Sequence, residues 1–180
     1  MGNSNILRQR SLLVAVSAAC ITVAALVLAP SASAGTGVFC LGYEVTNPAM
    51  LGTEGNDNVV GTPGTDIVAL LGGDDVFYDN GGNDIICLGN GQDQMSGDLS
   101  EIGADRINGG PGNDVLYGFG GNDDVRGNDG DDFLFGHNGD DYLDGGPGYD
   151  TLDGGPGWDV GDGAGGFDRC TVEIRYNCET

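Results

Sequence analysis

From Gly52 to Thr171 the chain repeats a nine-residue cycle in which glycine and aspartate precede a short apolar stretch. Examples are GTPGTDIVA (61–69), DNGGNDIIC (79–87), GGPGNDVLY (109–117) and GFGGNDDVR (118–126). There are thirteen units, and one of them, Gly97 to Asn108, carries three extra residues. Positions seven to nine read as a short strand, with the eighth side chain pointing inward and its neighbours outward. That eighth column is Val59, Val68, Phe77, Ile86, Met95, Ile107, Leu116, Val125, Leu134, Leu143, Leu152, Gly161 and Cys170, apolar in all but the Gly161 unit. The residues before each strand are turn-formers, and glycine permits the backbone conformations such turns need. The pattern predicts an all-β chain of very short strands and tight turns. One inward residue per strand gives a core too thin to fold the chain alone.

Two polar columns accompany the apolar one. Position four is glycine throughout, and position six is aspartate in every unit: Asp57, Asp66, Asp75, Asp84, Asp93, Asp105, Asp114, Asp123, Asp132, Asp141, Asp150, Asp159 and Asp168. An acidic chain with few aromatic residues can be disordered. Three columns locked in phase over this length argue for structure instead. A single aspartate in such a setting reads as a turn-former; thirteen in register do not.

The pattern resembles the repeats-in-toxin (RTX) nonapeptide GGxGxDxUx, where U is a large apolar residue, a signature of calcium-binding parallel β-helices. The resemblance implies a parallel β-roll, a right-handed β-solenoid, in which two units complete one turn and alternate units stack in two columns. In that family each ion lies between one loop and the loop two units later, held by sixth-position aspartates and turn carbonyls. One column would contain Asp57, Asp75, Asp93, Asp114, Asp132, Asp150 and Asp168. The other would contain Asp66, Asp84, Asp105, Asp123, Asp141 and Asp159. The inserted residues Asp98 to Ile102 enlarge the turn before Asp105 and put the sites sharing that loop in question. Gly161 and Cys170 depart from the large apolar type, so sites near Asp159 and Asp168 are expected to be weaker.

Stacked carboxylates must be neutralised. At about 4 Å and an effective dielectric of about 20, two like charges repel by about 4 kcal/mol. A dozen such conflicts exceed a typical net stability of about 5–15 kcal/mol. Carboxylates and carbonyls in an irregular cage point to several Ca²⁺ ions rather than Mg²⁺ or zinc. The expectation is a chain largely unfolded in chelator that folds cooperatively with calcium.

The segment before the repeats has a different character. Arg8 and Arg10 precede the apolar run Leu12 to Leu28, followed by Ser31-Ala32-Ser33-Ala34. This reads as a secretory signal over 1–34 cleaved after Ala34, with a retained membrane anchor as the alternative. Residues 35–51 are expected to cap the roll of 52–171 at its start, and 172–180 at its end. After cleavage, four arginines face 28 acidic residues with no lysine, a formal charge of −24. Such a surface repels nucleic acid and anionic lipid and attracts cations.

Cys40, Cys87, Cys170 and Cys178 remain, an even number that suggests disulfides in an exported chain and allows three pairings. Cys170 and Cys178 are near in sequence, and tying them together would leave Cys40 to Cys87. The layout is similar to that of small secreted calcium-binding repeat proteins of actinobacteria. None of the spacings is a CxxC, which disfavours zinc, and the lone His137 reads as a solvated turn residue. RTX toxins and proteases usually leave through an uncleaved C-terminal signal, so the N-terminal leader here is a departure.

Outside the repeats there is no nucleophile–histidine set and no HExxH, so a catalytic role is not expected. The reading is a secreted, extracellular calcium-binding β-roll. The competing reading is a calcium-stiffened adhesive or partner-binding module, with an accessory piece of a hydrolase or toxin system further behind. Val76, Tyr78, Val115, Tyr117, Phe133 and Phe135 share one outward face as an apolar strip, interrupted by Gln94 and Ser96, that could meet a cell-surface or matrix partner. Thr53 and Thr62 do not extend into the rank an ice-binding face requires.

Overall fold

The structure is a computed structural model and describes residues 37–98 and 102–179. The leader 1–34 and the middle of the insertion lie outside those residues. The repeats coil into a parallel β-solenoid. Strands of the odd units, Asn58–Val60, Val76–Tyr78, Gln94–Ser96, Val115–Tyr117, Phe133–Phe135, Thr151–Asp153 and Arg169–Thr171, stack in order as one seven-stranded sheet. The even units supply Ile67–Ala69, Ile85–Cys87, Arg106–Asn108, Asp124–Arg126, Tyr142–Asp144 and Val160–Asp162, and Ile174–Tyr176 follows them as the seventh strand of the other sheet.

Register follows the repeat directly. Eighth-position residues align from coil to coil, as in Leu116 with Leu134 and Leu134 with Leu152. Phe77, Ile86, Met95, Leu116, Leu134 and Leu143 are wholly buried between the two sheets. The insertion leaves this register intact, since Ile85–Cys87 still pairs with Arg106–Asn108.

Turn geometry explains the glycine at position four. Gly112 has φ +151° and Gly130 has φ +140°, a region L side chains rarely adopt. A Cβ at Gly112 would overlap the carbonyl oxygen of Gly91, and one at Gly130 would overlap that of Gly112. Successive turns therefore touch backbone to backbone, and the fourth-position carbonyls point along the solenoid axis.

Both ends are closed. A small antiparallel hairpin, Phe39–Cys40 with Tyr43–Glu44, and a 3₁₀ turn at Pro48–Met50 bury Val38, Cys40, Val45 and Met50 against the first coils. Cys40 is bonded to Cys87 with Cα atoms 5.6 Å apart, and Cys170 to Cys178 with Cα atoms 5.8 Å apart. This is the pairing expected from the sequence.

At the far end Ile174–Tyr176 runs parallel to Val160–Asp162, so the segment read as a cap also contributes a strand. It also explains the exception at Gly161. A Cβ on Gly161 would lie 3.0 Å from a methyl of the buried Val172, whose side chain occupies the space a large eighth residue would fill.

Among the described residues no helix is long and apolar enough to cross a membrane.

Candidate metal centres along the two turn edges

The coils bring the sixth-position aspartates into two continuous ladders. From the third unit onward, each Asp Oδ1 accepts the backbone N–H of the sixth-position aspartate two units earlier. The odd ladder runs Asp57→Asp75→Asp93→Asp114→Asp132→Asp150→Asp168, with N···O distances of 2.7–2.9 Å. The even ladder runs Asp66→Asp84→Asp105→Asp123→Asp141→Asp159 at 2.8–3.0 Å. All thirteen aspartates singled out in the sequence are brought into one ladder or the other. The step from Asp84 to Asp105 crosses the insertion without a break.

The second carboxylate oxygens set the chemistry. In Asp75, Asp84, Asp93, Asp114, Asp123, Asp132, Asp141, Asp150, Asp159 and Asp168 the Oδ2 atom is buried and has no hydrogen-bond partner. A buried, unpartnered ionised oxygen is costly, and burial raises most of these carboxyls. Burial, foremost, pushes Asp84, Asp114 and Asp123 up to about 8, against the lowering effect of the backbone hydrogen bond each accepts. Neighbouring ladder carboxylates add to the rise in all three. Asp93, Asp132 and Asp141 go to about 6 and Asp150 to about 7 for the same leading reason. Asp75 and Asp159 are also raised, again chiefly by burial.

Asp57 and Asp66 differ. Asp57 Oδ2 accepts the N–H of Thr53 at 2.6 Å and its hydroxyl at 2.9 Å. Asp66 Oδ2 accepts the N–H of Thr62 at 2.6 Å and its hydroxyl at 3.1 Å. The two threonines thus close the turns of the first two units around their own carboxylates.

Sequence reasoning overlooked two features of these edges. Glu173 continues the even ladder, its Oε2 accepting the N–H of Asp159 at 2.9 Å. A second ladder runs the opposite way at position five. There the side chains of Asn56, Asp74, Asn83, Asn113, Asn122, Asp131 and Asp140 accept the N–H of the residue two units later at 2.8–3.0 Å. The recurring Asn or Asp before the invariant aspartate was the available signal.

The donor set suits a hard divalent cation. It consists of rows of buried carboxylate oxygens lacking partners, with fourth-position carbonyls aimed along the same axis, and hard oxygen donors in flexible loops favour Ca²⁺. Among the described residues no three acidic, histidine or cysteine side chains form a cluster able to hold a metal. Each centre would therefore draw on carboxylates of adjacent coils together with backbone oxygen.

The expected apolar strip lies on the odd sheet, where Phe133 pairs in register with Val115 and Phe135 with Tyr117. Tyr78 and Phe133 are exposed, while Tyr117 and Phe135 are half-buried. The cause is a set of four near-parallel rings. Tyr117 stacks on Phe135, Phe119 and His137 at centroid distances of 5.0, 5.6 and 5.8 Å. His137 is thus half-buried in an aromatic stack rather than a solvated turn residue.

Fold and edges together define a calcium-binding β-roll. Its family follows from the sequence model of the RTX calcium-binding nonapeptide repeat, which matches in four copies, at residues 51–78, 60–95, 101–134 and 135–170. Those matches span more than half of the chain, and the protein belongs to that family. No curated protein and no solved structure matches it.

Proposed function

We propose that this is a secreted, non-catalytic protein whose roll is ordered by several calcium ions seated between successive turns. The sixth-position aspartates from Asp57 to Asp168 serve as the carboxylate ligands. The observation that carries this reading is the row of ten buried Oδ2 atoms without a partner, repeating at the spacing of a calcium-binding family. An ion placed between coils supplies positive charge where like charges face each other. The chain's own contribution is to aim Oδ1 at the preceding coil's N–H and leave Oδ2 free for the ion.

Sites should differ in strength. Asp57 and Asp66 already spend Oδ2 on a threonine turn. Asp159 and Asp168 sit where the last coils depart from the repeat, and bind more weakly in this reading. Export is supported by the leader over 1–34 and by two disulfides, which persist in oxidising compartments. The acidic balance of the chain disfavours nucleic acid and membrane surfaces as partners.

A second reading, a calcium-stiffened module for a cell-surface or matrix partner, draws on the exposed Tyr78 and Phe133 of the strip. Pull-down from cell-wall and matrix material with and without calcium separates it from simple ion binding. The primary reading is tested by far-UV circular dichroism and calorimetry during a calcium titration. A β-spectrum that appears only with calcium is expected. The same spectrum in EGTA, with no heat of binding, would refute it.

A further inference from the structure

The first position of the repeat is glycine in ten units and leucine in two, and in the fourth unit alone it is an acid, Asp79. That position faces the sixth. A Cβ at Gly52 would lie 2.9 Å from Asp57 Oδ2, and one at Gly61 3.4 Å from Asp66 Oδ2. A side chain there projects toward the metal-facing oxygen of its own unit. Asp79 is accordingly near enough that, after burial, its charge helps raise the Asp84 carboxyl. It is only 3% exposed, and its Oδ1 accepts the N–H of Gly81 at 3.0 Å.

Asp84 is 1% exposed and its Oδ2 has no hydrogen-bond partner. Two buried carboxylates therefore converge on one turn where every other unit supplies one from these two positions. The same unit ends in Cys87, fastened to Cys40 of the N-terminal cap. Calcium affinity rises with the number of charged ligands and with rigidity, and this turn has more of both.

We propose that Asp79 is a calcium ligand, that it makes the turn of the fourth unit the tightest calcium site of the roll, and that the first ion binds there, ordering the chain from its capped end. The assignment rests on the calcium reading above. It differs from that reading in ranking the sites by a residue outside the repeat pattern.

The test compares the wild-type chain with Asp79→Asn, which keeps the shape and drops the charge, and Asp79→Gly, which restores the residue of most other units. In calcium titrations by calorimetry, the tightest step weakens about tenfold in both variants while later steps are unchanged. Isotherms that superimpose on wild type, that tighten, or that weaken at every step alike overturn the proposal. A wild-type chain that binds no calcium removes the underlying reading as well.

Terbium luminescence locates the first site without any variant. Trp158 is the sole tryptophan and lies in the twelfth unit, far along the roll from Asp79. The first equivalent of terbium leaves tryptophan-sensitised emission dark, and later equivalents switch it on. Emission through Trp158 from the first equivalent overturns the assignment.

Discussion

Replacing Asp132 by asparagine should move stability in opposite directions with and without calcium. Asp132 is fully buried, its Oδ1 accepts the Asp114 N–H at 2.8 Å, and its Oδ2 has no partner. Burial, chiefly, drives its carboxyl from 3.8 up to about 6, with Asp131 adding to the rise. At about 1.4 kcal/mol per unit of pKa, keeping it ionised at pH 8 costs the metal-free fold about 3 kcal/mol. Asparagine retains the Oδ1 acceptor and removes that cost. Its amide N–H groups need acceptors among the turn carbonyls, and imperfect ones return about 1 kcal/mol. The metal-free roll should therefore gain about 2 kcal/mol. With calcium the sign reverses. In the proposed reading Asp132 serves the gaps on both sides of its coil, and two ions at hundredfold excess over Kd contribute about 5 kcal/mol by linkage, so losing both leaves a net deficit of about 3 kcal/mol. Urea unfolding at pH 8 measures both cases, in calcium and in EGTA with sucrose added to populate the fold. Equal destabilisation in both media would show that the carboxylate acts only through its hydrogen bond to Asp114, and the electrostatic reasoning would be wrong.

Acidification should also act in two directions. The folded-state carboxyls of Asp84, Asp114 and Asp123 stand at about 8, and those of Asp93, Asp132 and Asp141 at about 6. The unfolded value is about 3.9. The metal-free fold binds more protons than the unfolded chain, so in EGTA its stability rises as pH falls from about 8 toward about 4. Calcium affinity falls over the same range because protons compete for the ligands. Circular dichroism in EGTA showing less β-structure at pH 5 than at pH 8 contradicts this. Gly112→Ala, which places a methyl on the Gly91 carbonyl, should cost about 3 kcal/mol. Gly42→Ala, at φ +89° with open space around it, should cost only about 1 kcal/mol in the same urea assay. Opening Cys40–Cys87, 47 residues apart, should cost about 4 kcal/mol by loop entropy, against about 2.6 for Cys170–Cys178, 8 apart. Serine variants compared by thermal melting in calcium check the order.

The roll was legible because its determinants are columns. An inward apolar residue, an obligatory glycine and an aspartate at fixed phases survive any change in their neighbours. What escaped notice lies where the phase slips or where contacts join different units. Glu173 takes the next place on the even ladder, but Ile174 follows its partner Val160 by fourteen residues instead of eighteen, so no nonapeptide count reaches it. Val172 fills the space at Gly161 from outside the repeat, which made that unit look defective. The ring stack joins ninth positions of odd units, Tyr117 and Phe135, to second positions of the next even units, Phe119 and His137. Neither column alone shows the meeting. Thr53 and Thr62 were weighed as surface residues, and their hydrogen bonds to Asp57 and Asp66 depend on turn curvature that composition does not carry.

Because consecutive units alternate between two sheets, with partners eighteen residues apart through most of the roll, the chain can change its number of units in only one economical way. Duplicating or deleting a pair of units adds or removes one whole coil and leaves every face as it was. Losing a single unit would transfer all later strands to the opposite sheet, and loss of any unit before the seventh would move Phe133 to the other side of the molecule. Growth of such a protein by gene duplication should proceed two units at a time, whereas the three extra residues of the sixth unit were free to arise alone.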